Sequence, residues 1–139
     1  MKTKPLTFLF ALTFLFLFSG SSVVFANDLK DGLGAYERKD YETAYKLLLP
    51  LAEQGNSKAQ YTLGLMYETG REVPQDYKEA VKWYRLSAEQ GDASAQCSLG
   101  EMYYGGEGVP QDYAEAIRLW KLAAEQGDEE AQYNLDNYA

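Results

Sequence analysis

Cys97 is the residue best suited to covalent chemistry in this chain, and the groups that would activate it are missing. The sequence contains no histidine, which excludes a histidine general base. It contains no second cysteine, so an internal disulfide cannot form. We therefore predict that Cys97 is a small buried apolar residue and not a nucleophile.

The acidic residues do not indicate catalysis or metal binding. Glu129 and Glu130 follow Asp128 in the first turn of a predicted helix, where negative charge favours the helix dipole. The other carboxylates are dispersed without calcium-loop spacing, and zinc or iron would need histidines or paired cysteines. The sequence predicts no catalytic residue, no metal ligand and no cofactor.

The first 26 residues have the pattern of a secretory signal peptide. Two lysines precede an uncharged apolar run, 6–18, and small side chains lead to a predicted cleavage point after Ala26. The run is shorter than the ~18 to 20 residues that cross a bilayer, which disfavours a retained anchor. We expect residues 1–26 to be removed, leaving 27–139 as one exported domain without membrane insertion.

The charge of the remaining chain limits its partners. Without Lys2 and Lys4, 11 basic residues stand against 21 acidic residues. Binding to a phosphate backbone requires Lys and Arg, so nucleic acid and anionic membrane surfaces are poor partners. The acidity indicates either solubility of a helical surface or attraction of a cationic partner.

An internal repeat determines the predicted architecture. Residues 59–94 align with 95–130 at a shift of 36, with 20 identities. Gly70 and Gly105-Gly106 are expected to end first helices, and Asp76 and Asp112 to cap second helices. Asn56, Asp92 and Asp128 are expected to cap first helices. Such a period predicts an all-α, right-handed superhelical solenoid of about seven helices. The approximate units are 28–58, 59–94, 95–130 and a terminal capping helix at 131–139.

Three further features concern the packing and the ends of these helices. Gly64 and Gly100 lie inside first helices, where glycine costs about 1 kcal/mol against alanine, so a close helix approach must offset that cost. Trp83 and Trp120 are expected in the core. Glu79, three residues after Asp76, has the spacing of a capping box.

The repeated pattern A-x-x-x-L-G-x-x-Y, G-x-x-V-P-Q-D-Y-x-x-A and A-E-Q-G-D resembles the Sel1-like repeat, a relative of the tetratricopeptide repeat. The resemblance covers 29–139. It implies a non-enzymatic adaptor that binds another protein. The alternative is an immunity protein that neutralises a toxin-like effector, a role found among small exported bacterial members of the family. It also favours the periplasm over secretion to the exterior. Cysteine-rich members linked to β-lactam hydrolysis carry paired cysteines, which makes hydrolysis the least favoured reading.

Helical periodicity places one set of first-helix residues away from the packing face. We expect this concave strip to bind the partner, because tyrosine combines a large contact area with a hydrogen-bonding tip. The alternative is that these side chains fill space between helices. The predicted strip consists of Tyr61, Leu65, Glu68, Cys97, Glu101, Tyr104, Tyr133 and Asn137.

Overall fold

The computed structural model describes residues 25–139, which form seven α-helices and no strand. None of these helices is long and apolar enough to cross a membrane. Of the predicted signal peptide, only Phe25 and Ala26 lie within the described residues, where they begin α1. The helices are α1 (25–37), α2 (Tyr41–Glu53), α3 (Ser57–Thr69), α4 (Tyr77–Glu89), α5 (Ala93–Gly105), α6 (Tyr113–Glu125) and α7 (Glu129–Tyr138).

The helices stack in chain order as a solenoid of helix pairs. From α2 to α7 each helix packs on the next, and buried apolar side chains fill the spaces between them. First helices α1, α3, α5 and α7 therefore alternate with second helices α2, α4 and α6. Trp83 and Trp120 are 6% and 1% exposed, which confirms that both belong to the core.

Side-chain caps begin the helices, and glycines end them, where the sequence predicts. Asn56, Asp92 and Asp128 each accept a hydrogen bond from the backbone N–H three residues on, at 2.8 to 3.0 Å. Gly70 and Gly106 follow α3 and α5 with φ of +65° and +69°, a left-handed conformation that costs glycine little. These local signals fix the boundaries of the repeats.

The predicted capping box at Asp76 is wrong in its second half. Asp76 caps α4 by accepting from the N–H of Glu79, as expected. The Asp76 N–H, however, donates to the carbonyl of Tyr67 at 2.9 Å, so Glu79 has no donor to reach back to. Glu79 instead pairs with Lys82 at 3.4 Å. The bond to Tyr67 ties the linker to the first helix of the same unit.

Buried glutamines connect each unit to the next. Gln60 of α3 donates to the carbonyl of Ala52 in the preceding unit at 3.0 Å, and it accepts from Gln90 of its own unit at 2.8 Å. The same pair of bonds recurs around Gln96. Since an unmade buried hydrogen bond is costly, these bonds favour one register between units.

The mid-helix glycines allow aromatic rings to lie on the first helices. A Cβ at Gly100 would stand 2.6 Å from Nε1 of Trp120, and a Cβ at Gly64 would overlap the ring of Tyr84. Both rings are almost fully buried. The predicted packing role of the two glycines is confirmed.

We expect Gly100→Ala to lower the free energy of unfolding by about 1 to 3 kcal/mol, because displacing the Trp120 indole outweighs the gain in helix propensity. Gly105→Ala is the matched control in the same helix, since a Cβ there stands 3.4 Å from the flexible Glu107 side chain. Urea unfolding followed by circular dichroism measures both variants. Equal effects of the two substitutions would contradict this packing account.

Candidate partner-binding site

Residues of the predicted strip line two cavities along the first helices. Tyr61 and Leu65 line one cavity, and Glu101 and Tyr104 line another. The remaining four predicted residues line neither of these two cavities. The strip therefore contributes to two cavities whose lining residues differ in chemistry.

The first cavity, here called the N-terminal groove, has a volume of about 390 Å³ and lies between α1, α3 and the start of α5. Tyr61 is half-buried, with its ring centroid 5.8 Å from that of Tyr84. Burial raises the pKa of the Tyr61 hydroxyl above its ordinary value, so it stays a neutral hydrogen-bonding group. The lining residues are Leu33, Tyr36, Glu37, Lys58, Tyr61, Thr62, Leu65, Asp92 and Ser94.

The second cavity, here called the aromatic pocket, has a volume of about 300 Å³ and lies between α5 and α7. The Tyr104 ring centroid is 5.5 Å from that of Trp120 and 5.2 Å from that of Tyr138. Nε1 of the buried Trp120 donates to the carbonyl of Cys97 at 3.3 Å, which fixes the indole. The lining residues are Glu101, Tyr104, Gly105, Glu107, Trp120, Asn134 and Tyr138.

Glu101 is a half-buried carboxylate in a strongly acidic environment. Burial raises its pKa above the ordinary value, and the negative charges of Glu130, Glu68 and Asp128 raise it further. Asn134 opposes the shift by donating from Nδ2 to Oε1 of Glu101 at 3.1 Å. Glu101 therefore carries a desolvated charge, and the charged groups that shift its pKa are all acidic.

Cys97 is predicted both as buried and as part of the binding strip, and only the burial is confirmed. The residue is 3% exposed, so its side chain cannot reach a partner. Burial and the nearby charge of Glu101 raise the pKa of the thiol well above its usual range. The reactive thiolate is therefore disfavoured.

The predicted dispersal of carboxylates is wrong at this one place. Ligand atoms of Cys97, Glu101 and Glu130 lie within 4.8 Å of one another, because α7 packs on α5. The set combines one thiol with two carboxylates and contains no histidine, unlike the Cys and His sets of structural zinc sites. The cluster contributes negative charge beside the aromatic pocket.

The other predicted residues are exposed or occupied by internal contacts. Glu68 accepts a hydrogen bond from the buried Tyr84 hydroxyl, which holds its carboxylate against α4. Tyr133 is 60% exposed on α7, and exposed Asn137 donates to its carbonyl at 2.7 Å. These three side chains extend the first-helix surface beyond the two cavities.

Sequence reasoning missed several lining residues. Leu33 and Tyr36 escaped because the first unit has a shorter turn, which takes its first helix out of the period of 36. Asn134 and Tyr138 replace Ser98 and Met102 of the preceding repeat. These departures from an otherwise close repeat are the sequence signal that could have identified these lining residues.

The stacked helix pairs, with cavities along the first helices, define a helical-repeat protein. Three Sel1 repeats match residues 29–56, 57–92 and 93–128, and the chain belongs to the Sel1 repeat family. Proteins of this family are typically non-enzymatic interaction modules. Comparison with curated proteins found no match.

The solved structures similar to the chain include the following three. A Sel1 repeat protein from Oxalobacter formigenes is 34% identical with a TM-score of 0.73, and covers 77% of this chain and 44% of its own. A protective antigen present in uropathogenic Escherichia coli strains, which displays an SLR fold, is 40% identical with a TM-score of 0.74. The match covers 82% of this chain and 25% of that chain. Helicobacter pylori cysteine rich protein B is 25% identical with a TM-score of 0.63, and the match covers 66% of this chain and 69% of that chain. The chain thus spans less than half the length of the first two.

We expect Glu101→Gln to stabilise the protein at pH 7, because the variant removes a desolvated charge and keeps an oxygen that accepts from Asn134. Because the pKa of Glu101 is higher in the folded protein than in the unfolded chain, the free energy of unfolding falls as pH rises through the interval between these two pKa values. The difference from wild type should therefore be present above that window and shrink as pH falls below it. Urea unfolding at several pH values measures the difference.

Glu125→Gln, at an exposed position on α6, is the control for loss of one negative charge. A difference between Glu101→Gln and wild type that is independent of pH, or matched by Glu125→Gln, would contradict the assigned burial of the Glu101 charge.

Proposed function

We propose that the chain is a non-enzymatic adaptor of the cell envelope that binds a partner protein along its first helices. The observation that carries the proposal is the N-terminal groove, where half-buried Tyr36, Tyr61 and Leu65 lie beside polar side chains. Protein interfaces combine apolar and tyrosine-rich centres with a polar rim. The signal-peptide pattern of residues 1–26 is the support for export to the periplasm.

The chemistry of Cys97 supports binding over hydrolysis. Its thiol is buried, its pKa is raised, and the sequence offers no histidine to act as a base. The β-lactam hydrolase alternative depends on paired cysteines that this sequence lacks. We infer that the carboxylates near Cys97 serve recognition.

We expect Leu65→Ala to reduce recovery of the partner, because the substitution removes apolar contact area from the N-terminal groove. Leu86→Ala is the matched control: Leu86 is 39% exposed on the second helix α4 and does not line the groove. The test is an affinity pull-down from the producing cell's envelope fraction with the tagged protein, quantified by mass spectrometry. Helicity measured by circular dichroism confirms that each variant is folded.

The recovered proteins distinguish the two proposed roles. Several envelope components indicate the adaptor, whereas one toxin-like effector at near-equal stoichiometry indicates the inhibitor or immunity role. Loss with Leu65→Ala and retention with Leu86→Ala support the groove. Equal recovery with both variants would place the binding site elsewhere.

A further inference from the structure

The aromatic pocket departs from the repeat on which it is built. Its framework is retained, since Gly100 still receives an aromatic ring from the second helix. The lining residues around that framework differ in type from the residues 36 positions earlier. The changes that alter charge or add an aromatic ring place Glu101, Tyr104, Glu107 and Tyr138 where the chain has Leu65, Glu68, Arg71 and Met102 one period earlier.

These changes remove a cation and add negative charge. The equivalent positions of the preceding repeat carry Glu68 and Arg71, whose charges are opposite, whereas the pocket carries Glu101 and Glu107. Glu130 adds a third carboxylate near Glu101. No lysine or arginine lines the pocket. Within residues 25–139, both salt bridges lie on second helices, away from this cavity.

The aromatic rings supply the second element of recognition. Tyr104 and Tyr138 are inclined to each other at 43°, and Trp120 is inclined to Tyr104 at 39°. The face of an aromatic ring carries partial negative charge and attracts ammonium and guanidinium groups. Rings and carboxylates therefore favour the same class of ligand.

We propose that the aromatic pocket binds one cationic side chain, lysine or arginine, of the partner protein. The proposal rests on the proposed function, since the partner supplies that side chain. The volume of about 300 Å³ is at the lower end of the range for ligand pockets and suits a single side chain. The pocket would anchor the charged group while the N-terminal groove supplies the apolar contact.

A titration with small probes tests the pocket without the partner. The full chain, labelled with ¹⁵N, is titrated with N-acetyl-lysine-methylamide, with the arginine analogue, and with the uncharged norleucine analogue as control. We expect the indole N–H of Trp120 and the side-chain amide of Asn134 to shift saturably with the two cations and not with norleucine. The Trp83 indole, in a different cluster, is an internal reference.

Two variants locate the effect in the pocket. Glu101→Gln and Glu107→Gln should each weaken binding of the lysine probe roughly tenfold, the expected effect of removing a charged hydrogen-bond acceptor. Glu125→Gln makes the same charge change outside the pocket and should leave the affinity unchanged.

Three results would overturn the cation pocket: no shift at Trp120, the same shift with norleucine, or equal weakening by Glu125→Gln. The last would indicate attraction to the acidic surface in general. None of these results bears on the Leu65→Ala pull-down, so failure of the pocket and failure of the proposed function are separately visible.

Discussion

The close approach of an aromatic ring to a glycine backbone is the contact on which the rest of this solenoid depends. At Gly64 and Gly100 the first helix has no side chain, and the rings of Tyr84 and Trp120 occupy the space that one would fill. Glycine inside a helix costs about 1 kcal/mol, and burial of a large ring offsets that cost. The contact sets the distance between the two helices of a unit, and buried glutamines then set the register between units.

A frame held by these few contacts leaves the first-helix surface free to vary. In the preceding repeat, Glu68 accepts a hydrogen bond from the hydroxyl of Tyr84. The next repeat places Tyr104 at the equivalent position and leaves a cavity bordered by carboxylates. The half-buried charge of Glu101 opposes folding, as its raised pKa indicates. A desolvated charge that is present in one repeat, on a helix framework shared by both repeats, is typical of a recognition site.

Features encoded within one repeat could be predicted from the sequence. The period, the caps at Asn56, Asp92 and Asp128, and the role of the mid-helix glycines all follow from local preferences. Contacts between units were harder, because they depend on how α7 lies on α5. That packing brings Asn134 and Glu130 to Glu101. The incomplete capping box has a similar cause, since a tertiary bond occupies the Asp76 N–H.

Hydrogen–deuterium exchange of the protein, free and bound to the partner recovered from the envelope fraction, tests most directly whether the first helices form the binding surface. We expect slower exchange on binding in α1, α3, α5 and α7, around residues 33–37, 58–65, 101–107 and 134–138, with second helices α2, α4 and α6 unchanged. Protection confined to the second helices would contradict it and would place the partner on the opposite side of the solenoid.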